Sequence, residues 1–317
     1  MHFSKPVTKN VWKKIPSPVS SKDLSFLAGL PFLTLLAWLT NESTWHKIAD
    51  KAAHHSSGIL SRDAESILAR VLEVAGDRTL AIPPTQISHD LTACEIETTF
   101  QIMAEHFPKG WHPAIEIEGE EHLKSALSLG RGAILWDSHF YFAGLITKIG
   151  LYSIGYRLHH LSRREHGFSS TPFGMNYLNP IRTFVERRYL GDRVVMPANN
   201  PGSVLVDLAE RLKQNAVVSI TVRGRANRPV RAPFLNSFLD VAPGAPYLAW
   251  TAESKLIPVF TVREEVGRYR IVLGSPISLP RYCSREESIK SAAIEYAKRL
   301  EQYVLDYPGQ WIDWINI

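Results

Sequence analysis

The spacing of apolar positions changes character along the chain. Near the amino end, Leu24 to Leu39 reads LSFLAGLPFLTLLAWL, sixteen positions without a charge, with Pro31 inside the run. A bilayer's hydrocarbon core needs about twenty residues of helix, so this run predicts a tilted, interfacial or marginally spanning helix, interrupted at the proline. From Ser61 to Phe107 the period is helical. Two amphipathic stretches, SRDAESILARVLEVAG and QISHDLTACEIETTFQIMAEHF, are separated by Ile82-Pro83-Pro84, where proline prevents continuation.

After Trp111 short apolar runs alternate with helical ones: Ala114 to Ile117, Glu120 to Leu129, Ala133 to Trp136 and Phe140 to Ile149. The alternation continues with an apolar run from Tyr152 to Leu158, a helix near Asn179 to Tyr189, Arg193 to Met196, a helix from Gly202 to Gln214, and Ala216 to Val222. It closes with a helix near Ala245 to Glu253, strands at Lys255 to Val262 and Tyr269 to Leu273, and a long helix from Glu286 to Leu305. This βα rhythm predicts an α/β fold, a mixed, mostly parallel sheet flanked by helices. The expected organisation is a basic and apolar membrane-associating segment at 1–45, a helical lead-in at 46–110, and an α/β domain at 111–317.

Lysines at positions 5, 9, 13, 14 and 22 precede the apolar run, and no small-residue cleavage site closely follows it. That favours a retained, membrane-directed segment over a cleaved signal, with a cytoplasmic amino terminus if it spans. The chain has 317 residues, 45% of them hydrophobic, enough for a full core, and a net charge of +5. A modest basic excess suits anionic membranes, phosphorylated substrates or an acidic carrier protein. With no nucleic-acid-binding motif beside the basic clusters, nucleic acid is not an expected partner. The two cysteines, Cys94 and Cys283, form no CxxC pair, and His54-His55 and His159-His160 lack a third ligand at zinc-site spacing. No metal or redox cofactor is implied.

In GRGAILWDSHFYFAGL, Asp137-Ser138-His139 falls at the carboxyl end of an apolar strand, just before a helical segment. Ligands and chemistry gather at that edge of α/β sheets, and a histidine there can take a proton from an attacking hydroxyl or amine. The segment resembles the first motif of the lysophospholipid acyltransferase superfamily, above all of the late acyltransferases of lipid A biosynthesis, in which a glycine and an apolar run precede HF-x-x-x-E. Two later stretches extend the resemblance. VRAPFLNSFLDVAPGAPYLAWTAESKLIPVF, Val230 to Phe260, is similar to the family's apolar loop, turn, helix and strand. YPGQWIDWI, Tyr307 to Ile315, is similar to its P-x-Q-W-x-W signature. The resemblance implies a fatty acyl transfer from an acyl-carrier-protein or coenzyme A thioester to a hydroxyl or amine of a lipid or glycolipid-like acceptor. His139 would be the general base, acting at the cytoplasmic face of the inner membrane.

The sequence departs from that pattern in two places. The acidic residue expected five positions after the histidine is Gly144, which leaves Asp137, two residues before His139, as a substitute partner. The missing carboxylate also opens an alternative, a catalytically silent relative that binds acyl chains or membranes for a partner enzyme. His160 to Glu165 repeats the H-x-x-x-x-E spacing without the strand context, and places Arg163 and Arg164 where the family meets its acceptor. In the second departure, Arg223, Arg225, Arg228 and Arg231 stand where the family carries an acidic segment. Guanidinium groups suit bidentate capture of phosphate or carboxylate, so both arginine groups are candidate substrate-binding residues.

Overall fold

The computed structural model describes residues 17–56, 61–197, 202–222 and 228–317. Four helices come first: α1 (Ser21–Leu39), α2 (Glu42–Ser56), α3 (Ser61–Ala75) and α4 (Pro84–Glu105). A capping box starts α1, with Ser20 accepting from the Asp23 amide and the Asp23 carboxylate accepting from the Ser20 amide, so donors of the first turn are met locally. Pro31 does not interrupt the helix, which runs through it for 19 residues, about 28 Å at 1.5 Å per residue. Among the described residues it is the one helix long and apolar enough to cross a membrane. Leu30, Leu33 and Leu36 pack against the body of the protein, whereas Leu24, Phe32, Leu35 and Leu39 are exposed. In α4, Pro84 is the first helical residue, where its missing amide proton costs little.

The strands are β1 (Ala114–Glu118), β2 (Ala133–Asp137), β3 (Leu158–Ser162), β4 (Leu190–Val195), β5 (Val217–Thr221), β6 (Val230–Phe234), β7 (Ser237–Val241), β8 (Lys255–Glu265) and β9 (Arg268–Leu273). Between and after them run α5 (Glu120–Ser128), α6 (Ala143–Ser153), α7 (Asn179–Arg187), α8 (Ser203–Lys213), α9 (Gly244–Ala252) and α10 (Arg285–Asp306). Seven strands form one sheet in the order β1-β9-β8-β2-β5-β3-β4, parallel except where β8 meets β9. β6 and β7 make a separate antiparallel hairpin.

Three elements differ from the sequence pattern. The run from Tyr152 to Leu158 is not a strand: α6 continues to Ser153, the chain turns at Gly155 with φ of +94°, and β3 starts only at Leu158. Its two histidines disguise β3 as polar, although it lies inside the sheet between β5 and β4. The β6–β7 hairpin reads as an arginine-rich loop in the sequence, and α2 has too few apolar positions to announce itself.

All five residues of β2 are buried, because helices cover both faces of the sheet. Ile134 and Trp136 face one core with Val218, Phe260, Leu208 of α8 and Tyr296 of α10. Ala133 and Leu135 face the other with Val259, Phe100 of α4 and Ile146 of α6. Gly132 enters β2 at φ of +63°, and a Cβ there would sit 2.5 Å from the Ala216 carbonyl oxygen. Close approach of β2 and β5 therefore requires glycine at this position.

Candidate active site

The carboxyl ends of β2, β3, β4 and β5 open into a cleft of about 1610 Å³, closed on its sides by the start of α6, the start of α9 and the first turns of α1. His139 lies on its wall, two residues beyond β2. The backbone here is fixed from both sides. Ser138 donates its amide to the Val259 carbonyl, Tyr141 to the Gln310 carbonyl, and Ile312 donates to the His139 carbonyl. His139 is thus gripped by β8 and by the carboxyl-terminal segment.

That segment presents a carboxylate. His139 Nδ1 lies 2.9 Å from Asp313 Oδ1, and the two side chains retain only 16% and 14% exposure. The residues around Asp313 explain why it stands there. Gln310 forms a two-way amide pair with the backbone of Arg263, donating at 2.8 Å and accepting at 2.9 Å. Trp311 and Trp314 are fully buried, their rings edge to face at 4.9 Å, with Trp311 also against Phe234 and the Trp314 indole donating to the Pro308 carbonyl. With Trp311 and Trp314 locked three positions apart at a tight helical turn, the two residues between them have little freedom, and the second, Asp313, faces His139. A carboxylate that accepts Nδ1–H fixes the ring's tautomer and leaves Nε2 as the basic nitrogen, the logic of an orienting acid beside a catalytic histidine.

Behind His139 the cleft floor is charged and buried. Glu186 on α7 is wholly enclosed and takes ion pairs from Lys148 at 3.1 Å and from His166 and Arg182 at 2.9 Å each. Burial by itself would raise the Glu186 carboxyl, yet His166, Lys148 and Arg182 hold it well below the usual range. Burial lowers Lys148 and His166, opposed in both by Glu186. Asp137 accepts a short hydrogen bond from Ser219 on β5, and Ser219 lies 2.9 Å from His160 Nδ1. Burial pushes the Asp137 carboxyl up to about 7, against the pull of Ser219 and Lys148.

The sequence-derived candidates are therefore dispersed. His139 lines the cleft, and the carboxylate at its ring is Asp313, not Asp137, the substitute partner expected from the sequence, whose side chain accepts from Ser219. His160 is turned to Ser219, while Glu165 is exposed. Arg163 and Arg164 line the cleft. Arg228 and Arg231 are exposed on or beside β6, Arg231 stacking on Phe238, and neither is among the residues that line it. Arg223 and Arg225 lie outside the described residues. Gly144 sits in the first turn of α6, and a Cβ there would meet the Arg182 guanidinium at 2.7 Å. Sequence reasoning missed Asp313 and Glu186. For Asp313 the available signal is its place between the two tryptophans of the terminal motif; for Glu186 it is only the i,i+4 spacing to Arg182 on α7, because Lys148 and His166 come from other segments.

No curated protein matches the chain significantly. Residues 93–316 match the family model described as bacterial lipid A biosynthesis acyltransferase. The matched span runs from α4 through the terminal tryptophan motif and takes in the whole sheet and both halves of the His139–Asp313 pair. With the parallel sheet, the histidine at the end of β2 and the match over more than half its length, the chain belongs to the bacterial lipid A biosynthesis acyltransferase family.

Proposed function

We propose that the chain transfers a fatty acyl group from an acyl-carrier-protein or coenzyme A thioester to a hydroxyl or amine of a lipid or glycolipid-like acceptor. His139 on the cleft wall, with Asp313 at its Nδ1, carries this reading. Nε2 of His139 takes the proton from the acceptor as its oxygen or nitrogen attacks the thioester carbonyl carbon. The negative charge of the tetrahedral intermediate returns to the carbonyl as the C–S bond breaks, and the imidazolium gives its proton to the departing thiolate. Asp313 stabilises the imidazolium between the two transfers. Arg163 and Arg164, on the same cleft, suit an anionic part of donor or acceptor. The cleft exceeds the roughly 300–1,000 Å³ of a single small-ligand pocket, in keeping with two substrates bound together.

The membrane supplies the lipid substrate in this reading. Lys22, Asp23 and Phe26 of α1 line the cleft, and the same helix exposes Leu24, Phe32, Leu35 and Leu39. Laid along the cytoplasmic surface of the inner membrane, α1 brings the cleft mouth to the acyl boundary. The silent-relative alternative drew its support from Gly144, and that support weakens because a carboxylate from another part of the chain stands at His139. The test is incubation of purified protein with acyl thioesters and membrane lipid extract, following thiol release and new acylated lipid. Wild type should give both signals and His139→Ala about 10² to 10⁴ less; a folded His139→Ala protein with wild-type turnover would remove His139 from the mechanism.

A further inference from the structure

Away from the cleft, the helical layer gathers three side chains that acyl transfer does not use. Asp50 and His54 are four residues apart on α2, a spacing that puts both on one face of a helix. His89 of α4 comes against them. His89 Nε2 lies 2.9 Å from Asp50 Oδ1, and the His54 and His89 rings are 4.2 Å apart between centroids. One potential ligand atom from each of the three lies within 4.8 Å of the other two. In a tetrahedral site with metal–nitrogen bonds of about 2.0–2.1 Å, neighbouring ligand atoms are roughly 3.3 Å apart. Closure on an ion thus asks for about 1.5 Å of movement, within the reach of side-chain rotation.

We propose that Asp50, His54 and His89 form a binding site for Zn²⁺ that joins α2 to α4. Two imidazoles and one carboxylate suit zinc, whereas magnesium and calcium require mainly oxygen ligands. His54 is exposed and Asp50 and His89 half-buried, so the ion has an entry path and a fourth position for water. The packing nearby gives the ion something to do. Beside these three side chains the apolar contact between the helices is Ala49, Ala53 and Ala93, with Ile96 against them, small side chains that bury little surface, whereas Trp45 of α2 stacks on Phe100 of α4 farther along. A metal cross-link adds stability beside this alanine contact. Asp90, next to His89, packs on Gly309, so a stiffened α4 also steadies the turn that leads to Trp311 and Asp313.

The experiment uses full-length, tag-free protein in detergent, stripped with chelator and dialysed, then titrated with ZnCl₂ or MgCl₂ and followed by thermal melt and calorimetry. Wild type should bind one equivalent of Zn²⁺ and melt about 5 °C higher at a hundredfold excess over Kd, with no response to Mg²⁺. His54→Ala and His89→Ala should each stay folded and lose the Zn²⁺ response, and His55→Ala, an exposed neighbour on α2, should keep it. A wild type that does not respond to Zn²⁺, or a response retained in both His54→Ala and His89→Ala, overturns the site.

Discussion

Asp313→Asn isolates the charge on His139's partner while leaving its shape. The amide oxygen can still accept Nδ1–H at the same position, so the ring stays oriented and what disappears is attraction for the imidazolium formed during transfer. Two opposite unit charges about 4 Å apart attract by about 4 kcal/mol at an effective dielectric of about 20. Both side chains keep roughly one-sixth of their exposure, and solvent screening reduces that figure to about 3 kcal/mol, or a fall in kcat on the order of 10²-fold. KM should hardly move, because Asp313 acts on the transition state through His139 and not on bound substrate. The assay is thiol release from an acyl thioester at saturating acceptor lipid, with a melt on each variant. The distinguishing measurement is the double variant. In a His139→Ala background, Asp313→Asn should cost almost nothing further, since residues that act as a unit are not additive. If Asp313→Asn alone leaves kcat intact in a folded protein, the pair has no catalytic role. An equal loss with and without His139 would make Asp313 merely structural.

Other perturbations test the supports of the site. Trp311→Ala empties a fully buried position against Trp314 and Phe234; the cost should be about 3–5 kcal/mol, seen as a melt lowered by roughly 5–8 °C together with lower kcat as Asp313 loses its anchor. Gly144→Glu should fold, because Gly144 is helical with no positive φ and the atom it meets is the movable end of Arg182. Its carboxylate pairs with Arg182, so a gain in kcat above about tenfold would argue that Asp313 is not the working partner. Asp137 gives a pH test. The folded chain holds a proton there up to about pH 7 that the unfolded chain sheds near its ordinary value of 3.8. Its contribution to stability is therefore full below about pH 4 and lost as pH rises through about 7, on the order of 4 kcal/mol at 1.36 per pH unit. Asp137→Asn should match wild type near pH 4 and melt progressively higher than it from pH 5 to pH 8; parallel melting curves across that range would refute the assignment.

The sequence alone determined the α/β class, the strand that delivers His139, the apolar helix at the amino end and the family resemblance. These are local signals: β2 is an unbroken apolar run because both its faces are covered, and α1 is legible because sixteen uncharged positions follow one another. Where local pattern and tertiary environment disagree, the sequence misleads. β3 looks polar through His159 and His160, yet one of those rings is buried against Ser219, and Pro31 lies within a helix that continues past it. The partner of His139 belongs to tertiary structure entirely. Asp313 is 174 positions away, and no periodicity links two residues whose proximity depends on Gln310 pairing with Arg263 and on two tryptophans entering the same core. Spacing within one helix can announce a carboxylate at position 144. Only the packed chain can replace it with one brought from the other end, because hydrophobic burial of Trp311 and Trp314, which does not depend on separation in sequence, sets where Asp313 must point.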